Sequence, residues 1–243
     1  MNLLGMFAKQ PIAGFSKTRL AARLGPDVAA ELSSCFVRDL VARFHDHNAA
    51  HADRFVVAVA SADEVGEADP TVAAAERAVR WFAEAGMPPE RIWLQPETGF
   101  HARIRWFFDQ SFASGANAAV LIGSDSPDLP QPLVHEAFSL LATSDFVATP
   151  AVDGGFVLVG CSVPPGSVSD PVRLSTPAAM ADLSAAVRGA GYQMAVTHSW
   201  SDVDTPDDLD QLQRRLQAGE EQGLPCGNCP RTTAFLAELQ RRR

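Results

Sequence analysis

Lysine is nearly missing from this chain: of 20 basic residues, 18 are arginine and only Lys9 and Lys17 are lysine. Both fall in one connection, so a sequence that uses arginine everywhere else keeps its two compact ammonium groups together. Cysteine is scarce as well. Four in 243 residues exclude a disulfide-stapled scaffold and fit a reducing compartment, so a cytoplasmic location is expected. Long apolar runs are lacking too. The N-terminal stretch 3–8 is broken by Gly5 and ends at Lys9, too short for a signal-peptide core or a membrane span, and no membrane partner is expected. Positive charge is outnumbered, with 20 basic against 29 acidic residues and a net charge of −9. That argues against nucleic acid as a partner, because binding by phosphate neutralisation needs a basic face. A small anionic ligand stays open. G-x-S-x-G is absent, and the six histidines show no H-E-x-x-H spacing, so neither a nucleophile elbow nor a histidine metal site is indicated.

What is present is an alternation of periods. Residues 2–8 read as a strand, and 26–45 as a helix in which Val28, Leu32, Phe36, Leu40 and Phe44 recur at fourfold spacing, with Pro26 at its first position. Strands are expected at 55–60, 91–95, 118–122, 146–149, 156–160 and 193–197. Helices are expected at 71–85, 100–112, 131–142, 177–188 and 206–217. Strands alternating with helices predict a three-layer α/β/α domain with a mainly parallel sheet over residues 1–217. Residues 218–243 read as a linker and a short C-terminal helix, at 232–242.

Ligands in open sheets of this kind bind beyond the carboxyl ends of the strands, which directs attention to four loops. The first, AKQPIAGFSKTRL, gathers Lys9, Gly14, Lys17, Arg19 and Arg23, a set able to hold a di- or triphosphate. It is not a Walker A loop, which needs Gly directly before Lys-Thr and another five positions earlier, where this chain has Ser16 and Pro11. The second, GSDSPDLP, carries Ser124, Asp125 and Asp128, with no lysine or arginine between Val120 and Pro130. Asp128 reads either as a cap for the next helix or as a ligand. Asp125, nearer the strand end, suits a hard cation such as Mg²⁺ or Mn²⁺.

The third loop, PAVDGG, is a hairpin signal in which Asp153 is a catalytic or sugar-contacting candidate, while Gly154 and Gly155 allow a ligand close to the backbone. In the fourth, SDVDTPDDL, a capping box explains Thr205, Pro206 and Asp208. Asp202 and Asp204 are left over, and Asp204 is the candidate second metal ligand. Cys226 and Cys229 look like half of a zinc site without the other half, so free thiols or a contact between chains remain the readings, and a homodimer is an open one.

Taken in order, FAKQPIAGFSKTRLAARLG, LIGSDSPDLP, PAVDGGFVLVG and DVDTPDDL resemble the signatures of an uncharacterised bacterial family. That family belongs to the nucleotide-diphospho-sugar transferase superfamily, with the glycosyltransferase-A fold. The first loop is also similar to that of 2-phospholactate guanylyltransferase, and the last to the metal-binding end of sugar-nucleotide cytidylyltransferases. The resemblance spans about residues 2–215. It implies phosphate contacts from Lys17 and Arg19, metal contacts from Asp125 and Asp204, and as partners a nucleotide or nucleotide-sugar with a small-molecule acceptor. Two stretches depart from the family pattern, Phe156 where it has a hydroxylated aromatic and ETGFHARIR where it has a Gly-Asp-Leu-Gly-like run. The expected chemistry is Mg²⁺-dependent transfer from a nucleotide donor, leaning to nucleotidyl transfer onto a phosphorylated small molecule. Glycosyl transfer with Asp153 as base is one alternative, and a non-catalytic nucleotide-binding protein is another.

Overall fold

A computed structural model describes residues 1–45, 49–60, 72–222 and 228–241. The strands are β1 (Asn2–Ala8), β2 (Arg54–Val59), β3 (Ile92–Leu94), β4 (Ala118–Gly123), β5 (Phe146–Pro150), β6 (Phe156–Cys161) and β7 (Met194–Val196). The helices are α1 (Thr18–Leu24), α2 (Pro26–Phe44), α3 (Val72–Glu84), α4 (Phe100–Ala113), α5 (Gln131–Leu140), α6 (Ala179–Gly189), α7 (Pro206–Gln222) and α8 (Pro230–Arg241). The strands form one seven-stranded sheet in the order β3-β2-β1-β4-β6-β5-β7. All neighbouring pairs are parallel except those made by β6, which runs antiparallel to both β4 and β5. The α/β/α architecture with a mainly parallel sheet is therefore the one expected from the alternating periods.

Each sheet face is covered because consecutive side chains of a strand point to opposite sides. Leu4 and Met6 of β1 pack with Val37, Val41 and Phe44 of α2, Phe82 of α3 and Val134 of α5. Leu3 faces the other way, toward Phe107 and Phe108 of α4 and Leu183 of α6. Gly5 has a steric reason, since a Cβ there would lie 2.1 Å from the Phe107 ring. A third cluster lies outside the sheet layers, where Leu20 of α1, Leu32 and Phe36 of α2, Leu212 of α7 and Leu236 of α8 meet.

Three expectations need correcting. Helix α1 lies where the sequence reads as loop, since seven residues are too few for periodicity to register. Helix α7 runs five residues past the expected end at Gln217, so 218–222 are helix and not linker. The C-terminal helix begins at Pro230, and Asp39 of α2 accepts the Arg231 and Thr232 N–H groups at 3.1 and 2.8 Å. Thr71, the expected start of α3, and Cys226 lie outside the described residues. Cys229 is buried in the third cluster, and burial foremost pushes its thiol up to about 12. No helix among the described residues is long and apolar enough to cross a membrane.

Candidate functional site

The carboxyl ends of β1 and β4 lie side by side, because Phe7 pairs with Gly123. The loops that follow carry Lys17 and Asp125. The segment after β7 closes on them through the Val203 N–H, which donates to the Asp125 carbonyl at 2.9 Å. Lys17 is the hub. Its backbone sits in the left-handed region at φ 50°, just before α1, a conformation that costs a non-glycine residue and is tolerated where surroundings enforce it. Its ammonium contacts the Asp125 carboxylate, the Asp204 carboxylate at 3.1 Å and the Val203 carbonyl at 2.6 Å. Those three acceptors match the three donors of an ammonium group. The side chain is 6% exposed. Burial alone would lower its pKa, but Asp125 and Asp204 outweigh burial and hold it raised.

Asp204 is oriented by the helix that follows. Asp208 accepts from the backbone N–H and hydroxyl of Thr205, each at 2.7 Å, and donates its own N–H back to that hydroxyl at 3.3 Å, which is the capping box expected there. The same Asp208 carboxylate takes the Asp204 N–H at 3.1 Å. Arg19 reaches the far oxygen of Asp204 at 3.8 Å and is otherwise exposed.

Asp128 does not cap α5, whose N-cap is Pro130. It is fully buried, accepts Arg215 Nε at 2.8 Å and Trp200 Nε1 at 3.4 Å, and ties α7 to the turn after β4. The two aspartates of GSDSPDLP thus have cationic partners from distant parts of the chain, Lys17 for Asp125 and Arg215 for Asp128.

Two cavities flank the hub. The larger, about 590 Å³, is lined by Lys9, Lys17, Arg19, Arg103, Ser124 and both hub aspartates. The smaller, about 330 Å³, is lined by Arg19, Asp125, Asp153, Asp202, Asp204 and Gly155 with an apolar side that includes Phe156. Of the other glycines expected at the ligand, Gly14 and Gly154 line neither cavity. Gly154, at φ 92°, packs under the Pro177 carbonyl, 2.2 Å from where a Cβ would stand. The Asp153 carboxylate accepts the Gly155 N–H at 2.9 Å within the β5–β6 turn.

Sequence reasoning missed three lining residues. Asp202 has no role that the capping box or the loop spacing assigns. Burial foremost, then Asp204, Asp153 and Asp125, push its carboxyl up to about 6. Arg103 sits on the buried face of α4 beside Ile104 and Phe107, and a charged residue on an apolar stripe was the signal available. Ser175, at φ 60°, lines both cavities and had no sequence signal.

The chain superposes over 99% of its length on 95% of a provisionally named nucleotide-diphospho-sugar transferase from Desulfovibrio desulfuricans G20, with a TM-score of 0.81 and 28% identity. The fold is that of the nucleotide-diphospho-sugar transferases. Residues 58–176 match DUF2064, described as an uncharacterized protein conserved in bacteria. That stretch includes Asp125 and Asp153 but neither Lys17 nor Asp204. Two further solved structures share the fold at low identity. A cytidylyltransferase from Leptospira borgpetersenii serovar Hardjo-bovis gives a TM-score of 0.54 at 9% identity, over 99% of this chain and 94% of that one. A 4-diphosphocytidyl-2C-methyl-D-erythritol synthase from Anaerococcus prevotii DSM 20548 gives 0.55 at 11%, over 88% and 96%. No curated protein matches the chain by sequence.

Proposed function

We propose that the chain is a Mg²⁺-dependent transferase that takes a nucleotide donor, with nucleotidyl transfer as the first reading and glycosyl transfer from a nucleotide-sugar as the second. The observation that carries the proposal is the meeting of Asp125, Asp204 and Lys17 at the seam between a basic and an acidic cavity. The names of the structural neighbours, which include nucleotidyl- and cytidylyltransferases, support it at the level of the fold.

The donor set fits a magnesium ion. Asp125 and Asp204 are close enough to share one ammonium, and their side chains are 47% and 42% exposed, open to an entering ligand. Among the described residues no group of three His, Cys, Asp or Glu could hold a metal unaided. Two carboxylates completed by phosphate oxygens are a donor set that Mg²⁺ accepts. When bound there, the ion would neutralise phosphate charge as a Lewis acid.

The remaining roles belong to the chain's own residues. Lys9, Lys17, Arg19 and Arg103 surround the cavity in which the phosphates of the donor would sit. Lys17, held beside those carboxylates and lining the same cavity, would place its ammonium close to the donor phosphates. With Arg19 it stabilises charge building on the leaving group, so catalysis is electrostatic. The glycosyl reading is kept because Asp153 stands in the adjoining cavity, where a base for an attacking hydroxyl would be needed.

The test incubates the protein with nucleoside triphosphates and nucleotide-sugars, Mg²⁺ and a panel of acceptors. Pyrophosphate release supports nucleotidyl transfer and nucleoside diphosphate release supports glycosyl transfer. Binding without either product points to a non-catalytic nucleotide-binding protein. Asp125→Asn is expected to lose Mg²⁺-dependent nucleotide binding with the fold intact. Metal dependence equal to that of the wild type removes Asp125 from the site.

A further inference from the structure

The smaller cavity has a charge its neighbour does not predict. Next to a pocket suited to polyphosphate, it presents four carboxylates, Asp125, Asp153, Asp202 and Asp204, against the single guanidinium of Arg19. That guanidinium already leans on Asp204 at 3.8 Å. If a magnesium ion and a donor phosphate occupy Asp125 and Asp204, then Asp153 and Asp202 remain, with no further cation among the lining residues to balance them. The cavity also has apolar lining, which includes Phe156, Phe100 and Leu174. A phosphate entering here meets like charge. A ring with hydroxyl groups instead lays its C–H face on the aromatic lining and donates its hydroxyl hydrogens to the carboxylates.

The cavity is also held in shape. Gly154 packs beneath the Pro177 carbonyl, its own carbonyl takes the Met180 N–H at 3.1 Å, and Ser175 is fixed in a left-handed conformation on the rim. Asp153 therefore projects from a turn anchored to the segment that carries Ser175 and Thr176.

We propose that this cavity receives an uncharged, polyhydroxylated ring as the acceptor, that its nucleophile is a hydroxyl, and that phosphorylated acceptors are turned away. This rests on the transferase reading above and deepens it. It replaces the sequence-based lean toward a phosphorylated acceptor, and it holds for either type of transfer. In the reaction, the acceptor hydroxyl oxygen forms the new bond to the α-phosphorus or to the anomeric carbon of the donor. The bond from that atom to the pyrophosphate or nucleoside diphosphate oxygen breaks, and the leaving group keeps the electron pair. The hydroxyl proton passes to Asp153, one of whose oxygens is held by the Gly155 N–H. Asp202 accepts hydrogen bonds from neighbouring hydroxyls.

The experiment uses the full chain with Mg²⁺ and follows the basic cavity separately, by the fluorescence of a trinitrophenyl nucleotide. Matched pairs of acceptors, glucose with glucose 6-phosphate and mannose with mannose 6-phosphate, N-acetylglucosamine with its 6-phosphate, are offered with each donor of the panel, and donor consumption is read. The uncharged members are expected to be used at least ten times faster than the phosphorylated ones. Asp153→Asn is expected to lower kcat at least tenfold while nucleotide affinity stays within twofold. Preference for the phosphorylated members overturns the proposal, as does consumption of neither series by a protein that still binds nucleotide. Failure to bind nucleotide overturns the transferase reading itself.

Discussion

The larger cavity sets Lys9, Lys17, Arg19 and Arg103 against Asp125 and Asp204, whereas the smaller sets Arg19 alone against Asp125, Asp153, Asp202 and Asp204. The sign of the lining charge reverses across one shared wall. At an effective dielectric of about 20, two unit charges about 8 Å apart interact by about 2 kcal/mol. Moving a phosphate from one side to the other therefore changes its energy by several such amounts. On the proposed reading, charge placement alone would sort a polyphosphate donor from a neutral acceptor before any specific hydrogen bond forms. The acidic side carries a cost, since burial and three neighbouring aspartates push the Asp202 carboxyl up to about 6. At the seam Lys17 offsets the repulsion between Asp125 and Asp204 by contacting both, although its own burial opposes its charge.

Removing that seam is the strongest way to break the comparison. Lys17→Met leaves Asp125 and Asp204 facing each other without their ammonium, and the donor phosphates lose a cation. Transfer is expected to slow by about a hundred- to a thousandfold, the usual cost of losing one preorganised electrostatic contact. Mn²⁺, followed by electron paramagnetic resonance without nucleotide, is expected to bind the variant more tightly than the wild type, since the carboxylates are no longer occupied. An unchanged rate would take Lys17 out of the donor site.

A second test asks whether Asp128 belongs to either cavity. It stands three residues from Asp125 yet lines neither, and its carboxylate is fully buried against Arg215, whose side chain is 28% exposed. The two ends of the pair should respond unequally. Arg215→Met strands a buried charge and is expected to cost about 3 kcal/mol of stability. Asp128→Asn leaves an arginine that can turn to water and is expected to cost about 1 kcal/mol. Urea unfolding measures both, and donor affinity should stay unchanged in each. Loss of donor binding by Arg215→Met at full stability would place Asp128 in the site after all.

The sequence made the strands and long helices legible, because β4 and α2 announce themselves by an unbroken apolar run and a fourfold stripe. The capping box at Thr205 and Asp208 was legible for a local reason, since both partners lie within one turn. The partners of Asp125 and Asp128 were not. Lys17 and Arg215 reach them from far along the chain, and spacing within a loop carries no information on which distant cation will fold onto it. The antiparallel β6 was foreshadowed by Asp153-Gly154, but the close approach that requires Gly154 comes from Pro177, another long-range contact. Periodicity reports what an element buries, whereas the site is made of what separate elements bring to one point.

The smallest expected effect sharpens the acceptor side. Asp182 accepts the Arg173 backbone N–H at 3.1 Å, its Nε at 2.8 Å and its Nη2 at 2.9 Å, tethering the rim segment that bears Ser175 and Thr176 to the start of α6. The Arg173 hydrogen bonds hold the Asp182 carboxyl at about 2, below its ordinary 3.8. A carboxyl depressed in the folded state contributes stability that is present above its ordinary value and lost as pH falls through about 2. Arg173 is 69% exposed, so water and salt screen the pair and its effect on global stability is slight. Asp182→Asn is expected to lower Tm slightly at pH 7, with the gap to the wild type narrowing from pH 5 toward pH 2. Its kinetic effect should fall on one substrate alone, a rise in acceptor KM of about threefold with donor KM unchanged. A shift confined to the donor would mean that the rim serves the basic cavity, and that the two sides are not independent.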